Sequence, residues 1–397
     1  MTTITLNKKQ EEGLKTAVER FQNGEKYTCI AGYAGSGKST LIPFIIAALG
    51  IEEEKVCYVA FTGKAATVLK QKGCQNAITA HKLLYHAKPL PNGDYIYTPR
   101  KKFEIEYKVV VVDEISMLPK SMWELLCSHS CYIIACGDPG QLPPISKDED
   151  NHVLDTPHIF LDEIMRQAQE SEIIRLSMHI REGKPISTFN SLGEQVQIFQ
   201  PKDVVSGMYT WADQIICATN EKRNYINRFM REQKGYAEEP CIGDKIISLR
   251  NHWDDYSFWG EWALTNGTIG TISEFKLQEV YVPKYIADNR INFMFTEIDL
   301  ENGDSFTNIP IDYECLKTGQ STLNSRQQYQ MNKNKMIPDA PYEFAYAYAI
   351  TCWKAQGSEW DKILGIEEAF PFDKDTRQKY MYTLCTRAKE KLVLITK

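Results

Sequence analysis

The chain has 397 residues, of which 43% are hydrophobic and 25% are charged, and its formal net charge is −6. This composition is typical of an ordinary globular protein, and the length favours two or more domains. The negative net charge excludes a general attraction to nucleic acid, so binding of a polyanion requires a local basic surface.

Eleven cysteines are scattered along the chain without a C-x-x-C pair, and most lie in apolar runs. This pattern indicates small core residues in a reducing compartment and argues against a zinc site. The N-terminus is polar and has no recognisable signal sequence, and no apolar run approaches about 18 residues. We therefore expect a cytoplasmic protein that does not contact a membrane.

The first chemical motif is a glycine-rich turn at residues 32–39, which reads GYAGSGKS and matches G-x-x-x-x-G-K-[ST]. It lies between a strand predicted at 27–31 and a helix predicted at 38–49, and in this context backbone N–H groups bind phosphate. Lys38 would reach the β- and γ-phosphates, and the Ser39 hydroxyl would hold Mg²⁺. The pattern predicts a nucleoside triphosphate site, whose other members are Gly35, Ser36, Gly37 and Thr40.

Strands and helices continue to alternate through the first 160 residues. Strands are predicted at 56–61, 109–112 and 132–136, and a helix at 64–72; four consecutive valines at 109–112 are typical of a strand buried on both faces of a parallel sheet. We therefore expect an open α/β layer. Within it, residues 74–106 form a predicted insertion, in which the Asn92-Gly93 pair favours a β-hairpin.

Two acidic residues, Asp113 and Glu114, follow the valine strand directly. Ligands bind at this edge of parallel sheets, so Asp113 is expected to hold Mg²⁺ and Glu114 to orient and deprotonate the attacking water. Residues 137–144 read GDPGQLPP after the neighbouring strand. Gln141 could contact the γ-phosphate there, although a proline-rich turn alone would also explain the segment.

A second α/β layer is predicted in the C-terminal half, and it has no glycine-rich phosphate loop. Its predicted strands are 214–218, 344–351, 362–366 and 392–395, and its predicted helices are 221–231 and 377–387. Residues 245–341 contain Asn-Gly pairs and short alternating runs, which favour a small antiparallel β unit inserted into this layer.

The order GSGKS, DEIS and GDPGQLPP is similar to that of superfamily 1 helicases of the RecD/Dda-like branch. Residues 161–167 (LDEIMRQ), 349–359 (AITCWKAQGSE) and 382–389 (YTLCTRAK) resemble motifs IV, V and VI of that branch. The resemblance implies an α/β fold with two RecA-like P-loop motor domains, at 1–73 with 107–159 and at 160–244 with 342–397. It also implies a hairpin wedge within 74–106 and an SH3-like β insertion at 245–341.

The same resemblance assigns roles at the nucleotide site, with ATP and Mg²⁺ as cofactors. Gln10 resembles the glutamine that reads the adenine edge. Arg166 and Arg387 resemble two arginines that reach the γ-phosphate from the second motor domain, although either alone could form a surface ion pair. Gly357 and Glu359 are expected to line the same cleft.

Single-stranded DNA is the second expected substrate. Thr62, Lys64, Thr79 and His81 resemble residues of motifs Ia and Ib that follow the phosphate backbone, although His81 could instead be a core histidine. From the second layer, Thr351 and Lys354 are expected to contact the strand, and so is Trp353, which stands where the family often has histidine and could stack. Asn92 would lie at the tip of the wedge. The aromatic cluster at 253–262 could form a base platform, but the core of the β unit explains it better, and the basic run 100–102 is expected to be solvated.

The resemblance therefore implies an ATP-dependent DNA helicase that moves 5′→3′ on single-stranded DNA, acts at junctions of single and double strands, and works as a monomer. Replication proteins and single-strand-binding proteins are candidate partners, and the expected setting is a bacterial cytoplasm or that of a phage-infected host. The alternatives are a small-molecule kinase, a DNA clamp that uses ATP without unwinding, and a translocase that strips proteins from DNA. A kinase would leave the C-terminal motifs unexplained, whereas the clamp and the translocase are distinguished from a helicase by an unwinding assay.

Overall fold

The computed structural model describes residues 5–89, 95–144, 149–165, 169–259, 263–281, 290–318, 342–368 and 373–396. Predictions for Asn92, Arg166 and Trp262 lie outside these residues. The strands are β1 (Tyr27–Gly32), β2 (Val56–Ala60), β3 (Ala77–Thr79), β4 (Tyr85–Pro89), β5 (Tyr95–Pro99), β6 (Val109–Val112), β7 (Tyr132–Gly137), β8 (Ile159–Leu161), β9 (Val196–Phe199), β10 (Gln214–Cys217), β11 (Lys245–Ser248), β12 (His252–Tyr256), β13 (Ala263–Leu264), β14 (Ile269–Tyr281), β15 (Arg290–Asp299), β16 (Ser305–Asp312), β17 (Phe344–Tyr346), β18 (Ala349–Thr351), β19 (Trp360–Ile366) and β20 (Ala388–Ile395).

The α-helices of the described residues alternate with these strands in both halves of the chain. They are α1 (Lys8–Gln22), α2 (Lys38–Ala48), α3 (Gly63–Gln71), α4 (Ala80–Leu84), α5 (Lys120–Ser128), α6 (Glu172–Arg181), α7 (Ser206–Trp211), α8 (Asn220–Gln233), α9 (Tyr313–Thr318), α10 (Cys352–Ala355) and α11 (Lys374–Cys385). No described helix is both long enough and apolar enough to cross a membrane.

The first half of the chain folds around a parallel sheet with the strand order β3-β2-β6-β7-β1-β8. All four valines of β6 are buried, as expected for a strand covered on both faces. The glycine-rich turn follows β1, the acidic pair follows β6, and Gly137 ends β7 between them in the sheet. Three candidate segments therefore meet at one carboxyl edge.

Two ends of this sheet differ from the sequence-based boundaries. Strand β3 pairs with β2, although residues 77–79 had been assigned to the hairpin insertion that starts at 74. Strand β8 pairs with β1 through Leu161, two residues beyond the expected end of the first domain at 159. Both strands are only three residues long, so pairing in the folded sheet, and not local sequence, defines them.

Strands β4 and β5 form an antiparallel pair that leaves the first domain after α4. Their register runs from Tyr85 opposite Pro99 to Pro89 opposite Tyr95. The turn that joins them, which includes Asn92, lies outside the described residues. A hairpin wedge therefore stays a prediction for the tip of this pair.

The second half contains another parallel sheet, with the order β18-β10-β19-β20-β9. Strand β9 at its edge and helix α6 before it were not predicted. The apolar faces of α6 and α11 pack on this sheet through a core that includes Leu176, Ile180, Tyr380 and Leu384. Both halves are therefore α/β layers built on parallel sheets.

An antiparallel sheet with the order β16-β15-β14-β11-β17 interrupts the second parallel sheet, and β12 and β13 pair beside it. The prediction of one strand at 344–351 is wrong, because residues 344–346 pair with β11 and residues 349–351 pair with β10. A break at Ala347-Tyr348 directs the chain from one sheet to the other. The SH3-like character of the inserted unit remains a prediction.

Candidate functional site

The phosphate loop joins β1 to α2 and depends on two glycines with positive φ, Gly35 at 75° and Gly37 at 83°. A Cβ atom on Gly37, the N-cap of α2, would lie 2.4 Å from Gln10 Nε2, so a larger residue would displace the Gln10 amide. The loop therefore needs glycine for both its backbone angle and its close packing.

Gln10 lies beside this loop, where the adenine-reading residue was expected. Its side chain is almost fully buried, its Nε2 donates to the Gly37 carbonyl oxygen at 3.3 Å, and its Oε1 accepts from Asn7 N–H at 2.9 Å. The second bond belongs to a capping box that starts α1. The start of α1 thus fixes an amide at the rim of the phosphate loop.

Lys38 and the hydroxyl groups of the loop define its interior. Lys38 Nζ donates to the carbonyl oxygens of Gly32 at 2.6 Å and Tyr33 at 3.1 Å. The buried Ser36 Oγ has no hydrogen-bond partner among the described residues. Ser39 is exposed and Thr40 half-buried in the first turn of α2. An unpaired buried hydroxyl, a lysine and a helix N-terminus fit a phosphate group.

Asp113 and Glu114 lie at the carboxyl end of β6. Burial raises the pKa of the Asp113 carboxyl, the Glu114 carboxylate raises it further, and the nearby Lys38 ammonium opposes both effects. The described residues contain no group of three or more His, Cys, Asp and Glu that could hold a metal. One carboxylate with the Ser39 hydroxyl fits Mg²⁺, which takes few protein ligands and completes its shell with phosphates and water.

Gln141 reaches Glu114 from the loop after β7. Its Nε2 donates to Glu114 Oε1 at 3.4 Å. The remaining oxygens, Glu114 Oε2 and Gln141 Oε1, are buried and have no hydrogen-bond partner among the described residues. Buried acceptors without a protein partner fit a site that a water molecule could satisfy.

Residues of both halves line one cavity of about 450 Å³ next to these acids. The first domain contributes Asp113 and Glu114, and the second contributes Gly357, Glu359 and Arg387. A Cβ atom on Gly357, whose φ is 73°, would lie 2.8 Å from Ala65 Cβ of α3. The two domains are therefore in direct contact at this cavity.

Arg387 directly precedes β20 and is 4% exposed. Its guanidinium donates to the carbonyl oxygens of Thr383 and Ser358, at 3.2 and 3.4 Å. The structure therefore places one predicted arginine in the cavity that contains Glu114. The other, Arg166, lies outside the described residues and its role stays a prediction.

Two residues that sequence reasoning did not assign reach the phosphate loop from the second domain. Arg181 at the end of α6 places its guanidinium carbon 3.6 Å from the ring centre of Tyr33, and the Tyr382 hydroxyl accepts from Ala34 N–H at 2.9 Å. Tyr382 stands in the YTLCTRAK segment, which could have drawn attention to it. No sequence signal indicates Arg181, because nothing local reveals that α6 ends beside β1.

The candidate DNA residues of the first domain lie at helix starts beside the β4–β5 pair. Thr62 and Thr79 cap α3 and α4, and their hydroxyls accept from Ala65 N–H and Lys82 N–H, both at 3.2 Å. The half-buried His81 ring packs near Phe61 and Tyr97, with centroid distances of 5.7 and 5.3 Å. Burial lowers the pKa of His81, which favours a neutral ring in this aromatic cluster.

Lys64 has surroundings that differ from those of a solvent-facing phosphate contact. Its ammonium lies 4.6 Å from the centre of the Trp360 ring, across the domain boundary, and burial lowers its pKa to about 8. A cation over an aromatic face is stabilised without an acid partner. The structure thus gives Lys64 a contact between domains.

The candidate DNA residues of the second domain surround α10. Thr351 ends β18 and is buried, and Trp353 is half-buried. Lys354 Nζ donates to Asn266 Oδ1 of the β unit at 2.5 Å. The preceding Thr265 packs so tightly on α3 that a Cβ atom on Gly63 would lie 1.9 Å from Thr265 Oγ1. The turn at residues 265–268 therefore touches both motor domains.

The interpretation of the 253–262 aromatic cluster as a core is wrong for the three members whose side chains are described. Tyr256, Phe258 and Trp259 are 52%, 68% and 69% exposed. Backbone bonds hold the last two in place, because Phe258 N–H donates to the Ser305 carbonyl and Trp259 N–H to Asp304 Oδ1. The prediction failed because aromatic density alone does not indicate burial: Tyr256 ends β12, and Phe258 and Trp259 lie in the turn that follows.

Comparison with known proteins agrees with this arrangement. Residues 5–202 match the family model described as an AAA domain, and residues 346–395 match that of a UvrD-like helicase C-terminal domain. An uncharacterized protein of Acanthamoeba polyphaga mimivirus is 36% identical, over 94% of this chain and 95% of its own length. The ATP-dependent DNA helicase dda of Enterobacteria phage T4 is 26% identical, over 98% of this chain and 99% of its own length.

Among solved structures, a Pif1 helicase from Bacteroides in complex with ADP-AlF3 and ssDNA is similar, with a TM-score of 0.55 and 16% identity. The match covers 99% of this chain and 93% of that one, and it supports the fold of two motor domains. The motifs, the two family models and the full-length relatives all agree. The chain belongs to the superfamily 1 helicases of the Pif1/Dda/RecD-like branch.

Proposed function

We propose that the protein is an ATP-dependent DNA helicase that moves 5′→3′ along single-stranded DNA and separates the strands of a duplex ahead of it. The observation that carries this proposal is the cavity that Asp113 and Glu114 of one motor domain line together with Arg387 of the other. A site completed by two domains ties hydrolysis to their relative position. The family membership and the DNA helicase activity named for the T4 relative support the same proposal.

ATP is the proposed substrate, and most of its contacts come from the first motor domain. The phosphate loop binds its phosphates through backbone N–H groups and Lys38, and Gln10 contacts the adenine edge. Mg²⁺, held by Ser39 and Asp113, would neutralise charge on the phosphate oxygens. Ser36 would donate its unpaired hydroxyl within the same loop.

Hydrolysis then needs a positioned water and a cation opposite the phosphate loop. Glu114 accepts the proton of the attacking water, and Gln141 holds that water through its amide oxygen. Arg387 stabilises the charge that spreads over the transferred phosphoryl oxygens, and such an arginine contributes about 10³-fold or more. Arg166 is proposed as the second arginine.

DNA would follow the surface that starts at Thr62, Thr79 and His81 and continues to Thr351 and Trp353. Hydroxyl and backbone N–H donors suit contacts to phosphate without sequence preference. The inserted β unit, proposed to be SH3-like, would close over the strand near the turn at 265–268, and the tip of the β4–β5 pair would part the duplex. Because Lys64 and Lys354 have partners in this structure, they would become available to DNA only after a change in domain position.

The proposed setting is the cytoplasm of a bacterium or a phage-infected host. There the protein would act as a monomer at junctions of single and double strands. Replication and single-strand-binding proteins are its proposed partners.

A strand-separation assay on duplexes with a 5′ or a 3′ single-stranded tail tests the proposal. We expect ATP-dependent release from the 5′-tailed substrate, little release from the 3′-tailed one, and none with Lys38→Ala. Release no faster than spontaneous melting on both substrates would refute helicase activity. Release from the 3′-tailed duplex alone would refute the proposed direction.

A further inference from the structure

The Tyr382 hydroxyl joins two loops of the first motor domain, although Tyr382 itself belongs to α11 of the second. It accepts from Ala34 N–H of the phosphate loop at 2.9 Å and donates to Asp138 Oδ2 at 2.7 Å. The side chain is 1% exposed. One phenol can make both bonds because its oxygen accepts while its proton is donated.

The Asp138 end of this bridge sets the shape of the loop that carries Gln141. Asp138 Oδ1 accepts from Gly140 N–H at 2.9 Å, which closes a tight turn. A Cβ atom on Gly140 would lie 3.0 Å from Tyr382 Cε1, so the aromatic ring packs against the same turn. The hydroxyl and the ring of Tyr382 therefore both fix the backbone turn that precedes Gln141.

The backbone that follows Gln141 is also held by the second domain. Leu142 N–H donates to Thr383 Oγ1 at 2.9 Å, and Gln356 Nε2 donates to the Leu142 carbonyl at 2.8 Å. The Leu142 side chain is fully buried in the core of the second domain. Gln141 thus lies between two positions that the opposite domain fixes, and its amide faces Glu114 from there.

These bonds exist only while the two domains are in contact. Separation would leave the buried Asp138 carboxylate without the Tyr382 proton and Ala34 N–H without its acceptor. Burial raises the pKa of the Tyr382 phenol and that of the Asp138 carboxyl, while Lys38 opposes the latter change. The phenol therefore keeps its proton and remains a donor at neutral pH.

We propose that Tyr382 is a positioning residue that transmits closure of the second domain to the phosphate loop and to the Gln141–Glu114 pair. It touches none of the reacting atoms and acts through Ala34, Asp138 and Gly140. This inference rests on the proposed function, because closure is taken to accompany ATP hydrolysis on DNA. Open domains would then hydrolyse ATP slowly, since Gln141 is aligned only in the closed arrangement.

The test is Tyr382→Phe, which keeps the ring against Gly140 and removes only the hydroxyl. We expect kcat for ATP hydrolysis to fall by about tenfold or more, as for other buried hydrogen bonds to charged groups, both with and without single-stranded DNA. The KM for ATP should change by less than about twofold, because the remaining phosphate-loop contacts persist.

Tyr380→Phe is the matched control. Tyr380 lies two residues earlier in α11, is also 1% exposed, and donates to the Ile366 carbonyl at 2.7 Å within its own domain. This variant removes an equally buried hydroxyl whose bond to Ile366 lies within the second domain, so kcat should stay near that of the wild type. Thermal unfolding of both variants would show whether either loses its fold.

Unchanged kcat in Tyr382→Phe, or an equal loss in both variants, would overturn the assignment. Wild-type hydrolysis that DNA does not stimulate would instead count against the proposed function. The comparison of Tyr382→Phe with Tyr380→Phe in basal hydrolysis would still decide the role of the hydroxyl.

Discussion

At the scale of single residues, Glu114 has a backbone conformation that few side chains tolerate. Its φ and ψ are 53° and 52°, which place it in the left-handed region directly after β6. Such angles are unfavourable for a residue with a Cβ and recur at functional sites. In this conformation the Glu114 carboxylate accepts from Gln141 Nε2 at 3.4 Å.

Glu114→Gln keeps the size of this side chain and removes its basicity. We expect kcat for ATP hydrolysis to fall by about 10²-fold or more, because a positioned general base contributes on that order. ATP affinity should persist, since Lys38 and the phosphate loop are unchanged. Steady-state hydrolysis and equilibrium nucleotide binding check this, with Glu124→Gln on the exposed face of α5 as the control. Hydrolysis at the wild-type rate would contradict the role of Glu114.

His252 gives the β unit a dependence on pH. The ring is 3% exposed, stacks on Tyr342 at a centroid distance of 3.8 Å, and has no hydrogen-bond partner on either nitrogen among the described residues. Burial and, to a smaller extent, the nearby Arg250 together lower its pKa to about 3. As the pH falls below about 6.5, His252 takes up a proton in the unfolded chain but stays neutral in the folded protein. The free energy of unfolding therefore falls with acidification.

Between about pH 7 and pH 5, His252 alone should reduce the free energy of unfolding by about 2 kcal/mol. Urea denaturation at both pH values measures this change. In His252→Phe, which keeps a stacked ring, the unfolding free energies at the two pH values should differ by about 2 kcal/mol less than in the wild type. His86→Phe on the exposed face of β4 is the control. An equal pH response in wild type and His252→Phe would show that the ring does not titrate in this way.

The residues that could be predicted are those whose chemistry is local. Lys38, Ser39, Asp113 and Glu114 belong to contiguous motifs, and the structure places them at one edge of one sheet. Tyr382 could not be assigned, because its partner Asp138 lies 244 positions away. In addition, a tyrosine among apolar residues is typical of a core position.

At the scale of elements, the start of α3 has no room for a side chain at its first residue. A Cβ atom on Gly63 would meet Thr265 Oγ1 at 1.9 Å and Thr265 Cβ at 2.3 Å. These atoms belong to the turn of the β unit that also contacts Lys354. The absence of a side chain at Gly63 therefore permits the β unit to approach the first motor domain.

Gly63→Ala should hinder this approach while leaving each domain folded. We expect DNA-stimulated ATP hydrolysis to fall by about tenfold, because a contact this close requires a shift in domain position. Gly207→Ala is the control, since Gly207 also lies near the start of a helix and a Cβ atom there would meet no described residue within 4 Å. Equal hydrolysis by both variants, measured at saturating DNA, would show that this contact does not matter for turnover.

Strands inside a sheet were easier to predict than the three-residue strands at sheet edges. β6 and β7 are apolar throughout, so their sequence alone indicated a parallel sheet. The short β8 and β17 were misplaced, because three residues carry little pattern and their partners lie far along the chain. The resemblance to known helicases supplied the second domain's site residues, which periodicity could not.

At the scale of the whole molecule, residues of both motor domains and of the β unit line one cavity. The second domain holds Leu142 in its own core and reaches Ala34 through Tyr382. Neither half can move without changing hydrogen bonds at the phosphate loop. Such an arrangement predicts that nucleotide and DNA binding affect one another, because both depend on the same domain position.

The affinity for a single-stranded oligonucleotide, measured by fluorescence anisotropy with and without a non-hydrolysable ATP analogue, tests this coupling most directly. We expect the two dissociation constants to differ by about fivefold or more, which is the lower range for coupled sites. In Tyr382→Phe the difference should shrink. Identical affinities in both nucleotide states of the wild type would contradict the claim that ATP acts by joining the two motor domains.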